Sequence, residues 1–234
     1  MGDLILNPGN ESFLDLSYVI DSTALIRSII VRASDIDLAA VAKELIETVK
    51  TVAHPRAVFL PMKVKSLTGS SFILGDAIFH SRVLGKVLEE DAVVFPYIIT
   101  IGKELDAFIS PQNDMLGKFR LDAVKSAVLF AAGRSFENEL KKKYPEQRLT
   151  HINPGEIDDW PLPEQKLLFN LFVGISEKLG VQLTDGCMIK PVKSRSGIYF
   201  ANDDGFETCR LCTQYRCTGR RAAFDAPTLA RLTA

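Results

Sequence analysis

The chain has 234 residues, 47% of them hydrophobic and 24% charged, and its formal net charge is −1. This composition is typical of a globular protein with a sizeable core. The near-neutral charge argues against a protein built mainly to neutralise nucleic-acid phosphates, and no apolar stretch is long enough to span a membrane. Because no signal peptide is recognisable at the N-terminus, we expect a cytoplasmic protein without nucleic-acid or membrane partners.

The first two thirds of the chain predict helices that alternate with strands. A helix should begin at Ser34, with Asp37 as its capping-box acid, and end before Pro55. Another short helix should be capped by Ser81. The predicted strands cover 57–65, 71–74 and 92–101. A long helix is predicted from about Met115 to Lys143, with its apolar face formed by Phe119, Val124, Val128, Leu129, Ala132, Phe136 and Leu140.

A further helix is predicted from about Pro163 to Leu179, with Gly180 as its C-terminal stop, followed by short extended pieces. Strands and helices follow without a regular βαβ rhythm, which predicts an α+β fold with a mixed, largely antiparallel sheet. We expect one unit over 1–234. A polar loop near 147–159, here called the seam, is the one place where the unit could be divided. The two parts would be an N-terminal α+β part (1–146) and a C-terminal part (147–234).

All four cysteines lie in the last quarter of the chain: Cys187, Cys209, Cys212 and Cys217. The C-x2-C and C-x4-C steps allow three thiolates to reach one metal from a single loop, and Cys187 could return as the fourth ligand. An iron–sulfur cluster, most simply 4Fe–4S, needs four such thiolates. Structural zinc is the alternative, although it usually uses two short-spaced pairs, and four unrelated thiols are the third explanation.

Basic residues lie among these cysteines, including Lys190, Lys193, Arg195 and Arg210. Cations near a cluster of four thiolates would offset its negative charge, and they could also contact an acidic partner. A solvated basic face explains the pattern equally well.

The stretch from His151 to Gln165 is the other informative segment, with a turn signal at Pro154-Gly155. Its acids, Glu156 and Asp159 among them, are expected to make turn and capping bonds more than catalytic contacts. No serine–histidine–acid set, Walker loop or G-x-G-x-x-G is present, so the common hydrolase, nucleotide and dinucleotide chemistries have no support.

An ordered set of motifs resembles stand-alone relatives of the activation domain of vitamin B12-dependent methionine synthase. The set includes Thr100-Ile-Gly102, Leu121-Asp122-Ala123, Asn153-Pro-Gly155, Asp159-Trp-Pro-Leu, Glu164-Gln165, Gly180-Val-Gln-Leu183-Thr184, Lys190-Pro191 and Ser194-Arg-Ser196-Gly197-Ile-Tyr199. The resemblance implies a curved α+β fold with a twisted antiparallel sheet. It also implies a domain that docks on a cobalamin-binding module and presents S-adenosylmethionine, so that cob(II)alamin is reduced and remethylated with an electron from an outside donor.

Two departures from the family pattern weaken the case for S-adenosylmethionine. His151 stands where the family has an arginine, and Glu156 stands where it has a tyrosine. The loss of the guanidinium and the gain of a carboxylate both oppose binding of the cofactor's own carboxylate. Asn153, Gly155 and Tyr199 remain the residues through which the resemblance implies ligand binding, while cobalamin would be carried by the partner.

The leading hypothesis is an accessory protein of corrinoid-dependent methyl transfer. It would dock on a corrinoid-binding protein or corrinoid methyltransferase, with Tyr199 and Trp160 on the docking or ligand surface, and supply electrons through a cysteine-ligated cluster. One alternative is S-adenosylmethionine-dependent reductive methylation of cobalamin. Another is a non-catalytic module with structural zinc. The sequence leaves open whether the chain is itself an enzyme.

Overall fold

A computed structural model describes residues 11–21, 23, 25, 36–109, 114–145, 147–217 and 219–234. The strands are β1 (Ser12–Asp15), β2 (Arg56–Phe59), β3 (Met62–Leu67), β4 (Ser71–Leu74), β5 (Ala77–His80), β6 (Val93–Thr100), β7 (Leu149–Ile152), β8 (Gln182–Leu183), β9 (Ile189–Lys190) and β10 (Ser194–Ala201). The helices are α1 (Ile36–Val52), α2 (Arg82–Val87), α3 (Lys103–Ala107), α4 (Met115–Lys143), α5 (Gln165–Asn170), α6 (Ser176–Leu179) and α7 (Ala226–Thr233).

The apolar strand β6 lies at the centre of an eight-stranded sheet. One of its edges pairs with β10, and its other edge pairs with β2 and then β3 in one continuous register. The N–H of Leu60, in the break between β2 and β3, still donates to the carbonyl of Pro96. The predicted strand over 57–65 is therefore two strands that act as one partner of β6.

The remaining strands extend this sheet on both sides. β7 pairs with β10, β1 pairs with β2, and the hairpin β4–β5 continues from β3. Gly75 turns that hairpin with a φ of 60°, a conformation that glycine adopts without a steric penalty. β8 and β9 form a separate two-stranded ribbon. Every pair is antiparallel, which confirms the predicted α+β class.

The two faces of the sheet carry different side chains because residues alternate along a strand. Tyr97 and Tyr199 point to the face that α4 covers, where they pack with Phe136. Ile98 and Ile198 belong to the core on the opposite face, together with residues of β3–β5, α2, α5 and α6. The sheet is thus buried on both faces, with α4 over the face that carries the two tyrosines.

The long helix α4 has the predicted limits, Met115–Lys143. Its N-cap, Asp114, accepts a hydrogen bond from the Gly117 N–H at 2.6 Å, and three lysines occupy the last turn, where the helix dipole favours cations. Five of the seven predicted core residues are buried. Phe119 is 56% exposed, however, so its assignment to the apolar face was wrong.

Other boundaries show where the chain departs from its local pattern. α1 ends at Val52 as predicted, and Ser34, its predicted cap, lies outside the described residues. The helix predicted over 163–179 is wrong as a single element. It is divided into a 3-10 turn (Leu162–Glu164), α5 and α6, and Gly174 between these two helices has a φ of 73° that a regular helix does not allow. Gly180 ends α6 in the left-handed conformation, as predicted.

Strands from both sides of the 147–159 seam share the main sheet, since β6 lies before the seam, β7 lies within it and β10 lies beyond it. Among the described helices, none combines the length and the apolar character that a membrane crossing requires.

Candidate functional site

The loop that follows β7 is built around Asn153. The Tyr97 hydroxyl donates to Asn153 Oδ1 at 2.5 Å. Asn153 in turn donates to Glu156, from Nδ2 to Oε1 at 2.7 Å and from its backbone N–H to Oε2 at 3.1 Å. Gly155, exposed and at a φ of 87°, closes the loop by donating to the Trp160 carbonyl at 2.8 Å. A network of polar groups therefore joins the centre of the sheet to this loop.

Glu156 is the acidic group of this network. Burial raises the pKa of its carboxyl, while the hydrogen bonds from Asn153 and the positive charges of Arg195 and Arg221 act in the opposite direction. Both carboxylate oxygens are engaged by Asn153. The prediction that Glu156 makes local turn bonds is confirmed.

His151 and Tyr199 face each other across the β7–β10 ladder. Their ring centroids lie 4.9 Å apart, and the rings of Tyr97 and Tyr199 are separated by 5.0 Å. Burial, assisted by the charges of Arg195 and Arg221, lowers the pKa of His151 to about 3, so its imidazole is neutral at physiological pH. Burial also raises the pKa of Tyr97 to about 12 and raises that of Tyr199, which keeps both phenols protonated.

Arg195 lies between the sheet and α4. Its guanidinium stands 5.8 Å from the centroid of the Tyr97 ring, within range of a cation–π interaction. On the α4 side it is opposite Gly133, where an added Cβ would lie 2.2 Å from Nη2. The helix can approach the guanidinium only because position 133 has no side chain.

The other polar residues of the 151–165 stretch serve the fold. Asp159 accepts hydrogen bonds from the Ser81 hydroxyl at 2.7 Å and from the Val83 N–H at 2.9 Å, and it pairs with Arg82, so it ties the loop to the start of α2. Ser81 caps α2, as predicted, by accepting from the Leu84 N–H.

Glu164 and Gln165 have structural contacts as well. Glu164 accepts from the His80 N–H at 3.0 Å, and the Gln165 side chain joins the Ser196 hydroxyl to the Cys187 carbonyl. The predicted docking role of Trp160 and Tyr199 is wrong because both side chains are 0% exposed. Trp160 packs against Phe79 in the core.

The loop that carries three of the cysteines covers the open edge of β7. The Thr208 hydroxyl donates to the His151 carbonyl at 2.9 Å, and the Thr150 hydroxyl donates to the Phe206 carbonyl at 3.0 Å. Cys209 follows Thr208 directly, and its Sγ accepts from the Arg221 N–H at 3.5 Å. The two segments that the sequence singled out therefore meet at the end of β7.

A single guanidinium organises this cysteine loop. Arg220 donates from Nη1 to the carbonyls of Cys209 (2.8 Å) and Ala222 (3.1 Å), and from Nη2 to those of Cys212 (2.9 Å) and Gln214 (2.7 Å). Because one side chain holds four carbonyls, Arg220 fixes the conformation of the loop.

The structure places the four cysteines in two separate locations. Cys187 is buried in a turn after β8, at a φ of 62°, where its N–H donates to the Thr184 carbonyl. Cys209 and Cys212 are partly exposed and Cys217 is exposed. Within the described ranges, no three side chains of His, Cys, Asp or Glu lie close enough together to hold a metal ion. As placed, the thiols do not fit an iron–sulfur or zinc centre, and the four-cysteine site stays a prediction.

The predicted basic residues have different surroundings. Lys193 pairs with Asp122 at 2.8 Å and donates to the Ser126 hydroxyl, so it fixes β10 to α4. Lys190 and Arg210 are exposed, whereas Arg195 lies inside the polar network. Arg221 adds a second cation beside that network and pairs with Glu207 at 2.8 Å.

A groove of about 570 Å³ lies away from this site, between the end of β1 and the end of α1. It is lined by Asp15, Leu16, Ser17, Tyr18, Lys50, Ala53, His54 and Pro55. None of the predicted site residues belongs to it.

The arrangement of strands and helices is similar to that in the crystal structure of the MetH reactivation domain bound to AdoHcy, with a TM-score of 0.64. The superposition covers 84% of this chain and 80% of that one, at 15% sequence identity. The chain has the fold of the MetH reactivation domain. This confirms the fold that the motifs implied. No protein-family model and no curated protein sequence matches the chain.

Three residues of this site are not part of the family motifs that the sequence shows. Tyr97 lies inside an apolar strand, and Arg221 follows the last cysteine. Gly133 is the one with a visible signal, since an isolated glycine within a helical pattern indicates that another group approaches closely.

Proposed function

We propose that the chain works with a corrinoid-binding protein and helps to return its cobalt from the inactive to the active state. The supporting observation is the similarity to the MetH reactivation domain over 84% of this chain and 80% of that one. The cobalamin belongs to the partner, a corrinoid-binding protein or corrinoid methyltransferase. In reductive reactivation, one electron from a donor takes Co(II) to Co(I), which then attacks the methyl group of a sulfonium and releases the thioether.

The same proposal gives this chain an S-adenosyl ligand, held near the Asn153 loop. The solved neighbour was crystallised with AdoHcy. Here Asn153 and Tyr199 both contact Tyr97, and Gly155 exposes the backbone of the same loop. Close approach of a ligand to a glycine backbone is a common use of such a turn. The contacts bring Asn153 and Tyr199 to one end of β7, where Gly155 lies on the outer side.

Reactivation can be tested with a purified corrinoid-binding partner in the cob(II)alamin form. With S-adenosylmethionine and a low-potential reductant, addition of the chain should convert the cob(II)alamin spectrum to that of methylcobalamin. Size-exclusion chromatography should show a complex of the two proteins. The absence of both complex and methylcobalamin, with a chain whose near-ultraviolet circular dichroism shows a folded protein, would refute the proposal.

A second function, electron supply, is supported by the location of the cysteine loop. Thr208 links that loop to His151, so Cys209 lies at the same end of β7 as the proposed ligand site. The prediction requires a cluster on Cys187, Cys209, Cys212 and Cys217. Since the thiols as placed do not fit such a centre, we derive no electron-transfer step from them.

Metal content separates the alternatives. Iron, sulfide and zinc should be quantified together in anaerobically purified protein, with an ultraviolet–visible spectrum. Iron and sulfide with broad visible absorption would support electron supply, and their loss in Cys209→Ser but not in Cys187→Ser would show that the buried thiol is no ligand. Stoichiometric zinc without a redox response would favour the zinc module, and an absence of metal would remove both.

A further inference from the structure

Two thiols of the cysteine loop belong to a C-x2-C pair that a single turn brings together. Leu211, with a φ of −98° and a ψ of −13°, has the backbone of the third residue of a type I turn, and it follows the 3-10 turn Thr208–Arg210 directly. The first and last Cα atoms of such a turn lie within about 7 Å of each other. A disulfide joins Cα atoms that are about 4.4–6.8 Å apart, so the free cysteines Cys209 and Cys212 are spaced for one.

Contacts on two sides hold this turn in place. Arg220 donates from Nη1 to the Cys209 carbonyl at 2.8 Å and from Nη2 to the Cys212 carbonyl at 2.9 Å. Both nitrogens belong to one planar guanidinium, so the two carbonyls of the pair are fixed side by side. Leu211, which is 3% exposed, anchors the turn in the core. The two thiols are therefore presented by a preformed turn.

The two thiols of the pair have different surroundings. Both residues are partly exposed, but Cys212 packs against the core cluster that contains Leu211. The Sγ of Cys209 accepts a hydrogen bond from the Arg221 N–H at 3.5 Å. A donor aimed at the sulfur favours the thiolate, which is the form of cysteine that attacks a disulfide. Cys209 is therefore placed to attack, and Cys212 is placed behind it to complete the exchange.

Cys217, the third thiol of the loop, lies outside the turn. It is exposed and stands on the α4 side of the loop, since a Cβ at Gly219 would lie 3.9 Å from its Sγ and 3.8 Å from Cζ of Phe130 on α4. Neither the turn at Leu211 nor the guanidinium of Arg220 joins it to the pair. Cys217 therefore supplies a matched control within the same loop.

We propose that Cys209 and Cys212 form a thiol–disulfide exchange site. The Cys209 thiolate attacks one sulfur of a disulfide, which releases the first thiolate and leaves a mixed disulfide on Cys209. The Cys212 thiol loses its proton to solvent, attacks the Cys209 Sγ and releases the second thiolate. The pair is thereby oxidised by two electrons to an intramolecular disulfide, and the substrate is reduced to two thiols. Because Cys209 is only partly exposed, the substrate is a small disulfide, which reaches its Sγ more easily than a folded protein does.

Oxidised glutathione is the probe, applied to anaerobically purified, reduced protein whose metal content has been measured. Trypsin cleaves after Arg210 and Arg216, so the three cysteines of the loop fall on three separate peptides. After alkylation of the remaining free thiols, mass spectrometry should show the Cys209 peptide joined to the Cys212 peptide. Each cross-link should be accompanied by two molecules of reduced glutathione. Cys217→Ser should give the same cross-link at the wild-type rate.

Single replacements test the order of attack. Cys212→Ser should accumulate a mixed disulfide of glutathione on Cys209, because no thiol of the turn remains to release it. Cys209→Ser should capture glutathione at Cys212 roughly 10-fold more slowly, because the core restricts access to that sulfur. Equal rates of capture in the two variants would overturn the assigned order.

The absence of a Cys209–Cys212 cross-link in the wild type would overturn the proposal, and so would a cross-link of either residue to Cys217 in its place. A stoichiometric metal that blocks alkylation of Cys209 and Cys212 would show a ligand set instead of an exchange site. Faster oxidation by oxidised thioredoxin than by oxidised glutathione, at equal concentration, would contradict the assignment of a small substrate. No corrinoid partner or S-adenosyl ligand enters these assays, so their outcome is independent of the proposed function.

Discussion

Replacing Arg220 by glutamine should open the cysteine loop while the sheet stays folded. The guanidinium donates four hydrogen bonds of 2.7–3.1 Å to loop carbonyls. Because the loop is partly exposed, water replaces some of them, and we take about 0.5–1 kcal/mol for each. The sum, about 2–4 kcal/mol, corresponds to a roughly 30- to 900-fold increase in the population of the open loop. Hydrogen exchange of peptides from 209–222 should accelerate by this factor.

Arg216→Gln is the matched control, since Arg216 is exposed in the same loop. Peptides from β10 should exchange at wild-type rates in both variants. Equal exchange of the loop in Arg220→Gln and Arg216→Gln would refute the reasoning. If a bound metal held the loop instead, a chelator would accelerate exchange in the wild type, and Arg220→Gln without chelator would remain protected.

Three further changes test the stability of the site. Because the pKa of His151 is about 3 when folded and near 6.5 when unfolded, the unfolded chain takes up the proton and stability falls as pH drops below 6.5. Between pH 7.5 and 5.0, urea unfolding should show about 2 kcal/mol more loss in wild type than in His151→Phe, and equal losses would contradict the assigned pKa.

Gly197→Ala puts a Cβ 2.5 Å from a backbone oxygen of β7 and should lower the free energy of unfolding by about 3 kcal/mol, whereas Gly186→Ala, with no atom within 4 Å of its Cβ, should change it little. Asp159→Asn should cost about 1–3 kcal/mol at pH 7 and much less near pH 3. Burial alone would raise the pKa of Asp159, but the hydrogen bonds to its carboxylate and the charge of Arg82 outweigh burial, so the pKa is lowered. The stabilisation that the carboxylate gives at neutral pH is therefore lost as pH falls. An unchanged urea midpoint of Asp159→Asn at pH 7 would contradict the stabilising role of these contacts at the start of α2.

The sequence predicted best those elements that a local pattern determines. The helical spacing of apolar residues predicted α4, and the structure shows Asp114 as its N-cap and three lysines in its last turn. Ser81 and Gly180 were correct for the same reason, since each makes a short-range cap. The fold followed from the ordered motifs and is confirmed by the similar solved structure.

Tertiary contacts decided the features that the sequence could not give. Phe119 has the right helical spacing for the core, yet it lies in the first turns of α4, where it remains 56% exposed. Spacing also allowed Cys187 to reach the other cysteines, but it could not show that Gln165 joins the turn of Cys187 to Ser196. Neither position could be deduced from the residues that adjoin it in the chain.

For Arg195, the sequence predicted a charged side chain beside a metal or a partner. Its location between Tyr97 and Gly133 depends on three segments that are far apart in the sequence. A pattern of single residues cannot show that one cation is enclosed while others, such as Arg210, are exposed.

The pairing of β6 with β10 has a practical consequence for anyone who dissects the chain. Seven residue pairs, from Ser194–Thr100 to Phe200–Val94, join strands on either side of residue 147. A truncated product that stops at 146 would leave one edge of the apolar strand β6 unpaired, and Val94 and Ile98 would lose the core residues that 147–234 packs against them. Such a fragment should accumulate in inclusion bodies, and co-expression with 147–234 should rescue it into the supernatant.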